Sequence, residues 1–214
     1  MIGRMEKRPF TILFVGDSNL GERGLQIVRR RFPETIGMIW PRGDLIQRHC
    51  IRHVLRSQKW DILLSFYNDL VFQDADLSQA DLPLNIHPSL PALRGVGYDT
   101  LPLIEGHKTC GATLHLMTRE IDAGKILDIL ECDIPEQITG MQFRRLTQDL
   151  SLAMLQRTVA YLGNHEDLPL LYATMLLETW RQRQTWGAPF YSRKRLNNLL
   201  EKWRRQDPHH LVFK

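Results

Sequence analysis

Four short runs of β-branched, aliphatic and aromatic residues constrain this chain more than any other feature: FTILFVG at 10–16, ETIGMIW at 34–40, WDILLSFY at 60–67 and LPLNIH at 82–87. Each has the length of a buried strand, with too little alternation to leave one face in water. The segments between the first three have helical spacing. Leu25, Ile27 and Val28 are the inner candidates within Glu22–Phe32. Asp44 is an acidic N-cap ahead of Leu45, Ile46, Cys50, Ile51 and Val54. Strands alternating with helices predict βαβ units, hence the α/β class: a mostly parallel sheet with helices on both faces.

Beyond Asn85 the pattern loosens. Pro88, Pro91, Gly95 and Gly97 mark a loop, and Tyr98–Glu105 reads as a short helix with Pro102 awkward in its middle. Ala112–Met117 and Lys125–Ile134 read as two strands joined by the polar turn TREIDAG, and so as antiparallel neighbours. Thr139–Leu162 is the longest helical stretch, with Met141, Leu146, Leu150, Leu155 and Val159 facing inward. In the tail, Leu196, Leu199, Leu200 and Trp203 follow i, i+3, i+4, i+7 within Ser192–Arg205. With Asn164–Pro169 as a linker, the expected division is a catalytic domain over 1–163 and a helical appendage over 164–214.

Composition narrows the class. The 214 residues are 43% hydrophobic and 24% charged, enough for one sizeable core. Cys50, Cys110 and Cys132 are widely spaced and odd in number, without a C-x-x-C. That predicts a reducing, cytoplasmic setting with neither a disulfide framework nor a zinc site. The start MIGRMEKR leads into an apolar run too short for a signal sequence, and no run is long enough to span a membrane. The formal charge of +4 suits an anionic small molecule, and no nucleic-acid motif accompanies it. Arg29–Arg31 and Arg193–Arg195 read most simply as solvated helix faces.

The stretch 84–127 carries the chemistry. Asn85 and His87 are two apart at the end of an apolar strand, so their side chains share a side. Strand carboxyl ends form the ligand crevice of open parallel sheets. An amide there can hydrogen-bond a developing oxyanion, and an imidazole can assist it or shuttle a proton. Asp122, in the later turn, can orient the imidazole and raise its pKa by charge pairing. Taken singly, each has a local explanation: a hydrogen-bonded histidine at a strand end, an aspartate in a turn. At the first strand's end, VGDSNLGERG lacks G-x-G-x-x-G spacing. It could hold a phosphate at a helix N-terminus, or Ser18 and Asn19 could simply cap that helix.

NIHPSLP at 85–91, GATLH at 111–115 and DAGKI at 122–126, in that order and spacing, resemble the folate-dependent formyltransferase family. That family contains glycinamide ribonucleotide formyltransferase, sugar-nucleotide N-formyltransferases, methionyl-tRNA formyltransferase and formyltetrahydrofolate hydrolase. The resemblance implies a Rossmann-like fold and a 10-formyltetrahydrofolate co-substrate without a metal. It implies Asn85, His87 and Asp122 as the catalytic set, with His115 of the second motif as a core histidine. It also implies a pterin pocket built largely from main chain, between Phe66, Tyr67, Asp69, Leu70 and Val71 on one side and Arg119, Glu120 and Ile121 on the other. SLPALRG is one residue shorter than the family's SLLPKYRG, on the acceptor side of the crevice.

The expected reaction is formyl transfer to a primary amine of a small anionic acceptor, foremost a nucleotide-linked amino sugar. Glycinamide ribonucleotide is the alternative acceptor, and a catalytically silent folate- or nucleotide-binding protein the alternative role. Ser89, Arg94, Tyr191 and Arg193 are the acceptor candidates. The tail, Trp186–Arg205, is not needed to build the crevice. Either it folds back beside it and helps bind the anionic acceptor through Phe190, Tyr191, Arg193, Lys194 and Arg195, or its leucine stripe is a packing surface or a homodimer interface and the basic residues sit in water.

Overall fold

The computed structural model describes residues 10–41, 43–165, 167–168, 171–175 and 184–214. Its main sheet is mixed and mostly parallel, in the hydrogen-bonded order β2-β1-β3-β4-β6-β7. The Rossmann-like α/β class expected from the alternating runs is the class observed. The chain divides into two compact units, 1–84 with 156–181 and 85–155 with 182–214. That division falls inside a strand and inside a helix. Part of the 164–169 linker and all of 1–9 lie outside the described residues.

In the first unit, β1 (Ile12–Asp17) pairs in parallel with β2 (Ile36–Trp40) and β3 (Trp60–Phe66). Every residue of β1 and β3 is buried, the signature of parallel strands covered on both faces. α1 (Leu20–Arg31) turns Leu25 and Val28 inward. Its first turn lies so close to β1 that a Cβ on Gly21 would stand 2.7 Å from the Gly16 carbonyl carbon. α2 (Leu45–Arg56) starts at the predicted cap: the Asp44 side chain accepts from the Ile46 and Gln47 amides. The face it buries is shifted from the expected one. Ile51 and Leu55 are buried, whereas Leu45, Ile46 and Cys50 are exposed. α3 (Asp74–Leu77) carries the buried Asp76, which accepts from Arg52 and Arg56 of α2.

β4 (Ala80–His87) begins in the first unit and ends in the second. In the second unit, β6 (Thr109–Leu116) and β7 (Ile126–Asp133) form the antiparallel pair predicted from TREIDAG, with a register irregularity between Leu114 and His115. β6 starts three residues earlier than the apolar pattern suggested. α4 (Leu101–Ile104) places Pro102 in its first turn, where a missing N–H costs no helical bond. The awkwardness expected of that proline is absent because the helix starts just before it.

α5 (Gly140–Gly163) corrects part of the predicted inner face. Leu155 and Val159 are buried as expected, but Met141 is 74% exposed, and Phe143, Thr147, Ser151 and Met154 are buried where no inner residue was expected. Thr147 and Ser151 escape an apolar search, yet each hydroxyl donates to a carbonyl of its own helix, those of Arg144 and Thr147. They enter the interior with their polar atoms satisfied.

The tail packs on the second unit. Residues of β5 (Arg94–Gly95) pair in parallel with β8 (Phe190–Tyr191). α6 (Arg193–Gln206) is capped by Ser192, whose Oγ accepts from Arg195 N. Its Leu196 and Leu199 pack against Leu93, Leu101 and Tyr191. The leucine stripe is therefore used for packing within the chain.

Candidate active site

All three motif pieces lie in the second unit, where they form one buried polar network. Three glycines explain why the backbone runs so close there. A Cβ on Gly111 would stand 2.1 Å from the Leu130 carbonyl oxygen and 2.6 Å from a Leu90 methyl, so β6 slides under the loop that follows β4. Gly95 has φ +88°, and a Cβ there would meet the Tyr191 carbonyl oxygen at 2.3 Å. A Cβ on Gly124 would lie 1.7 Å from the Leu116 carbonyl oxygen, so the TREIDAG turn closes only because residue 124 has no side chain.

That turn aims Asp122. The residue has φ +47°, in the left-handed region that aspartate tolerates better than most non-glycine residues. Its Oδ2 accepts from Gly95 N at 2.9 Å and lies 3.3 Å from His87 Nδ1; its Oδ1 lies 3.5 Å from His115 Nε2. Arg94 fastens the same loop. It donates through Nε to the Asp122 carbonyl at 2.7 Å, and through Nη2 to the Ile121 carbonyl at 3.0 Å and the Glu120 carboxylate at 2.6 Å.

His115 is the buried, hydrogen-bonded histidine expected, and its partners also make it part of this network. The Leu116 carbonyl can only accept, so the neutral ring donates to it from Nδ1 at 2.9 Å. Nε2 then accepts from the Asn85 amide at 2.9 Å. His87 differs. Its Nε2 lies 2.6 Å from the Leu93 carbonyl while Nδ1 faces the Asp122 carboxylate, so both ring nitrogens face acceptors. Only the imidazolium donates to both.

Burial acts against that charge. It pushes the His87 pKa below the ordinary histidine value, outweighing the upward pull of Asp122 and of the Leu93 carbonyl, and the neighbouring His115 lowers it further. The rise expected from charge pairing is thus reversed by desolvation. For Asp122 the balance goes the other way. Burial alone would raise its pKa, but the charge of His87, with the His115 and Gly95 contacts, brings it down to about 2.

These directions set the acid response. The contribution of Asp122 is present above the ordinary carboxylate value of 3.8 and is lost as pH falls towards about 2. It is worth about 2 kcal/mol. The contribution of neutral His87 is present above 6.5 and is lost as pH falls below that value towards its lower folded-state pKa. Asp122→Asn removes the anion facing Nδ1, so the His87 pKa should fall further. NMR titration of the His87 ring measures this; an unchanged or raised value would refute the coupling.

A residue 62 positions beyond Gly124 completes the site. Trp186 donates its indole N–H to the Gly124 carbonyl at 2.6 Å. Its ring stands edge-on to His115 and His87, at centroid distances of 4.9 and 5.8 Å. Gly187 N donates to the Pro91 carbonyl at 2.9 Å. The tail was not thought necessary to build the crevice; it folds back beside it, as one of its two readings had it, and supplies Trp186. Neither a motif nor a period singles out Trp186.

The other candidates separate. Ser89 is buried, and its carbonyl accepts from Thr113 at 2.7 Å, joining two motif pieces. Tyr191 was read as an acceptor candidate. It is instead buried, and its phenol donates to Glu105 at 2.8 Å. Arg94, read as an acceptor contact, is engaged with the aspartate loop. Arg193 is exposed in the first turn of α6. Of the pterin candidates, Arg119, Glu120 and Ile121 are exposed in the second unit. Phe66, Tyr67 and Leu70 are buried in the first unit, Asp69 is half-buried and Val71 exposed; Tyr67 has φ +52°.

The phosphate reading of residues 15–24 meets an obstacle. Asn19 makes no side-chain cap bond; instead Asp17, itself buried, accepts from the Asn19 and Gly21 amides. A carboxylate already occupies the place an anion would take at that helix start. Among the described residues no group of three or more His, Cys, Asp or Glu could hold a metal ion. None of the helices described is long and apolar enough to cross a membrane.

Comparison with known proteins agrees with the motif reading. Residues 51–159 match the Formyl transferase family model. The bifunctional polymyxin resistance protein ArnA of Wigglesworthia glossinidia brevipalpis is 36% identical over 107 residues, 49% of this chain and 16% of that protein. Methionyl-tRNA formyltransferase of Rickettsia bellii is 36% identical over 78 residues, 36% of this chain and 26% of that enzyme. The chain thus matches only a minor part of either relative. An N-formyltransferase from Helicobacter canadensis, solved with folinic acid and dTDP-3-aminofucose, superimposes with a TM-score of 0.65 at 16% identity. The match covers 87% of this chain and 72% of that one. For glycinamide ribonucleotide transformylase 1 from Symbiobacterium toebii the TM-score is 0.59 at 18% identity, covering 72% and 88%.

Proposed function

This chain belongs to the formyl transferase family, and from that membership we propose that it moves the formyl group of 10-formyltetrahydrofolate to a primary amine on a nucleotide-linked amino sugar. The observation that carries the reading is the buried network of Asn85, His87, His115 and Asp122, built from the three family motifs in register. The acceptor amine attacks the formyl carbon. Asn85 supplies an N–H to the developing oxyanion, with His87 beside it. Asp122 holds His87 and assists the passage of the amine proton to the departing folate nitrogen. Arg94 and Gly95 act on Asp122, as positioning groups.

The sugar acceptor is supported by the structural likeness. The match to the sugar N-formyltransferase solved with dTDP-3-aminofucose extends over 87% of the chain, against 72% for the ribonucleotide enzyme. Glycinamide ribonucleotide remains the second reading, because the chain spans 88% of that enzyme. The proposed pterin segments are Phe66–Val71 and Arg119–Asp122, with Ser89 and Arg193 on the acceptor side. The proposed location is cytoplasmic.

Calorimetry with an inert 10-formyl folate analogue tests the donor. Binding is expected, and no heat with or without a thymidine diphosphate would sink the proposal. Release of tetrahydrofolate with a dTDP-amino sugar, and not with glycinamide ribonucleotide, is the expected acceptor result. Folate binding without turnover on either amine would favour the silent binding protein.

A further inference from the structure

The hairpin that presents Asp122 brings together two cysteines that its catalytic chemistry does not use. Cys110 on β6 and Cys132 on β7 are direct cross-strand partners, and their Sγ atoms lie 3.7 Å apart. Spacing along the sequence argued against a disulfide framework; pairing of the strands makes these two thiols neighbours. We propose that Cys110 and Cys132 form a thiol–disulfide modification site, a cross-strand dithiol that reacts with small disulfides to close a reversible intramolecular bond.

The register supports the closure. Ile134 N donates to the Lys108 carbonyl at 2.8 Å, so this pair is of the hydrogen-bonded kind. Two residues along each strand, Cys110 and Cys132 fall in the same class. Such pairs have Cα atoms about 5.5 Å apart, inside the range of about 4.4–6.8 Å that disulfides span. The sulfur atoms need only side-chain rotation and a small approach to reach the bond length of about 2.04 Å. Cross-strand Cβ atoms stand about 4.5–5.5 Å apart, whereas a relaxed disulfide has them at about 3.8 Å. The bond must therefore draw the strands together, and disulfides under such strain are the readily reduced ones.

The two sulfurs have different roles. Cys132 is half-buried and Cys110 buried. Burial, then the Cys132 thiol and the charge of Glu131, push the Cys110 pKa up to about 12. Cys132, the more accessible sulfur, is thus the attacking group. It takes one sulfur of a small disulfide such as oxidised glutathione and expels one glutathione thiolate. Cys110 then loses its proton and attacks the Cys132 sulfur, expelling the second glutathione. Two protein thiols and one small disulfide become one protein disulfide and two small thiols. The second step should quicken as pH rises, because it needs the Cys110 thiolate.

The test uses the full chain carrying Cys50→Ser, which removes the exposed competing thiol. The protein is equilibrated in mixtures of oxidised and reduced glutathione, quenched in acid, unfolded, alkylated with N-ethylmaleimide and weighed by mass spectrometry. The expected product is a monomer lighter by two hydrogens with no alkyl group, joined Cys110 to Cys132 in the peptide map, and returned to the doubly alkylated form by dithiothreitol. Cys132→Ser in the same background should neither close a bond nor gain glutathione, and Cys110→Ser should stop at the glutathione adduct. Two alkyl groups at every ratio that oxidises a reference dithiol would overturn the proposal. So would a glutathione adduct that never closes, or a bond formed only between chains.

Discussion

Asn85→Ala is expected to lower turnover by about two to three powers of ten, the usual cost of removing one oxyanion donor. Asn85 lies two residues before the end of β4 as part of the buried network, so truncation also takes away the donor to His115 Nε2. A second substitution separates the effects. Asn85→Asp keeps the size of the side chain and can pair with a protonated His115, whose Nδ1 still donates to the Leu116 carbonyl, but it presents no N–H to the substrate. If donation to the oxyanion is what matters, both variants lose turnover to a similar extent while folate affinity, read by calorimetry, stays close to that of the unmodified protein. If Asn85 only orders His115, Asn85→Asp retains most of the activity. Near-normal turnover in folded Asn85→Ala protein would remove the residue from the mechanism.

Gly124→Ala should be nearly as damaging although it touches no reacting group. The new methyl would lie 1.7 Å from the Leu116 carbonyl oxygen, and that neighbour is backbone, which cannot rotate away. The turn must open. Asp122 then leaves the Gly95 amide and His87, and the Gly124 carbonyl leaves the Trp186 indole. A misplacement on the order of 1 Å in such a constellation costs about 10²-fold in rate, with overpacking adding about 1–3 kcal/mol of lost stability. Trp186→Phe is the informative companion: it deletes only the indole N–H and keeps a ring beside the two histidines. Turnover and urea midpoints should show a large loss for Gly124→Ala and a smaller one for Trp186→Phe. An active, stable Gly124→Ala protein would mean that the turn does not depend on this close approach.

The sequence alone carried what depends on local period and on motifs whose members are near one another. The β1 and β3 runs, the Asp44 cap, the antiparallel pairing across TREIDAG and the placement of Asn85 and His87 on one strand end all follow from backbone periodicity and turn chemistry. These act within a few residues. Helix faces were legible where the buried stripe is apolar, as with Leu25 and Val28 of α1. In α5 Leu155 and Val159 were read correctly, but Thr147 and Ser151 were missed: they are buried with their hydroxyls bonded to the helix itself. Hydropathy counts such residues as polar and cannot see that their partners are internal.

The tertiary structure decided the rest. His115 looked like one more core histidine until Asn85 and Asp122 were brought to its ring. The pKa of His87 moved opposite to the pairing argument because sequence shows which charges are near but not how much water is excluded. Trp186 is the clearest case. Nothing in its neighbours along the chain marks it, and it reaches the site only because the paired residues of β5 and β8 and the packing of α6 return the tail to the second unit. Local sequence sets what each segment can become. Contacts between segments far apart in sequence depend on how the assembled elements bury one another, and those contacts decide which polar groups lose water and meet.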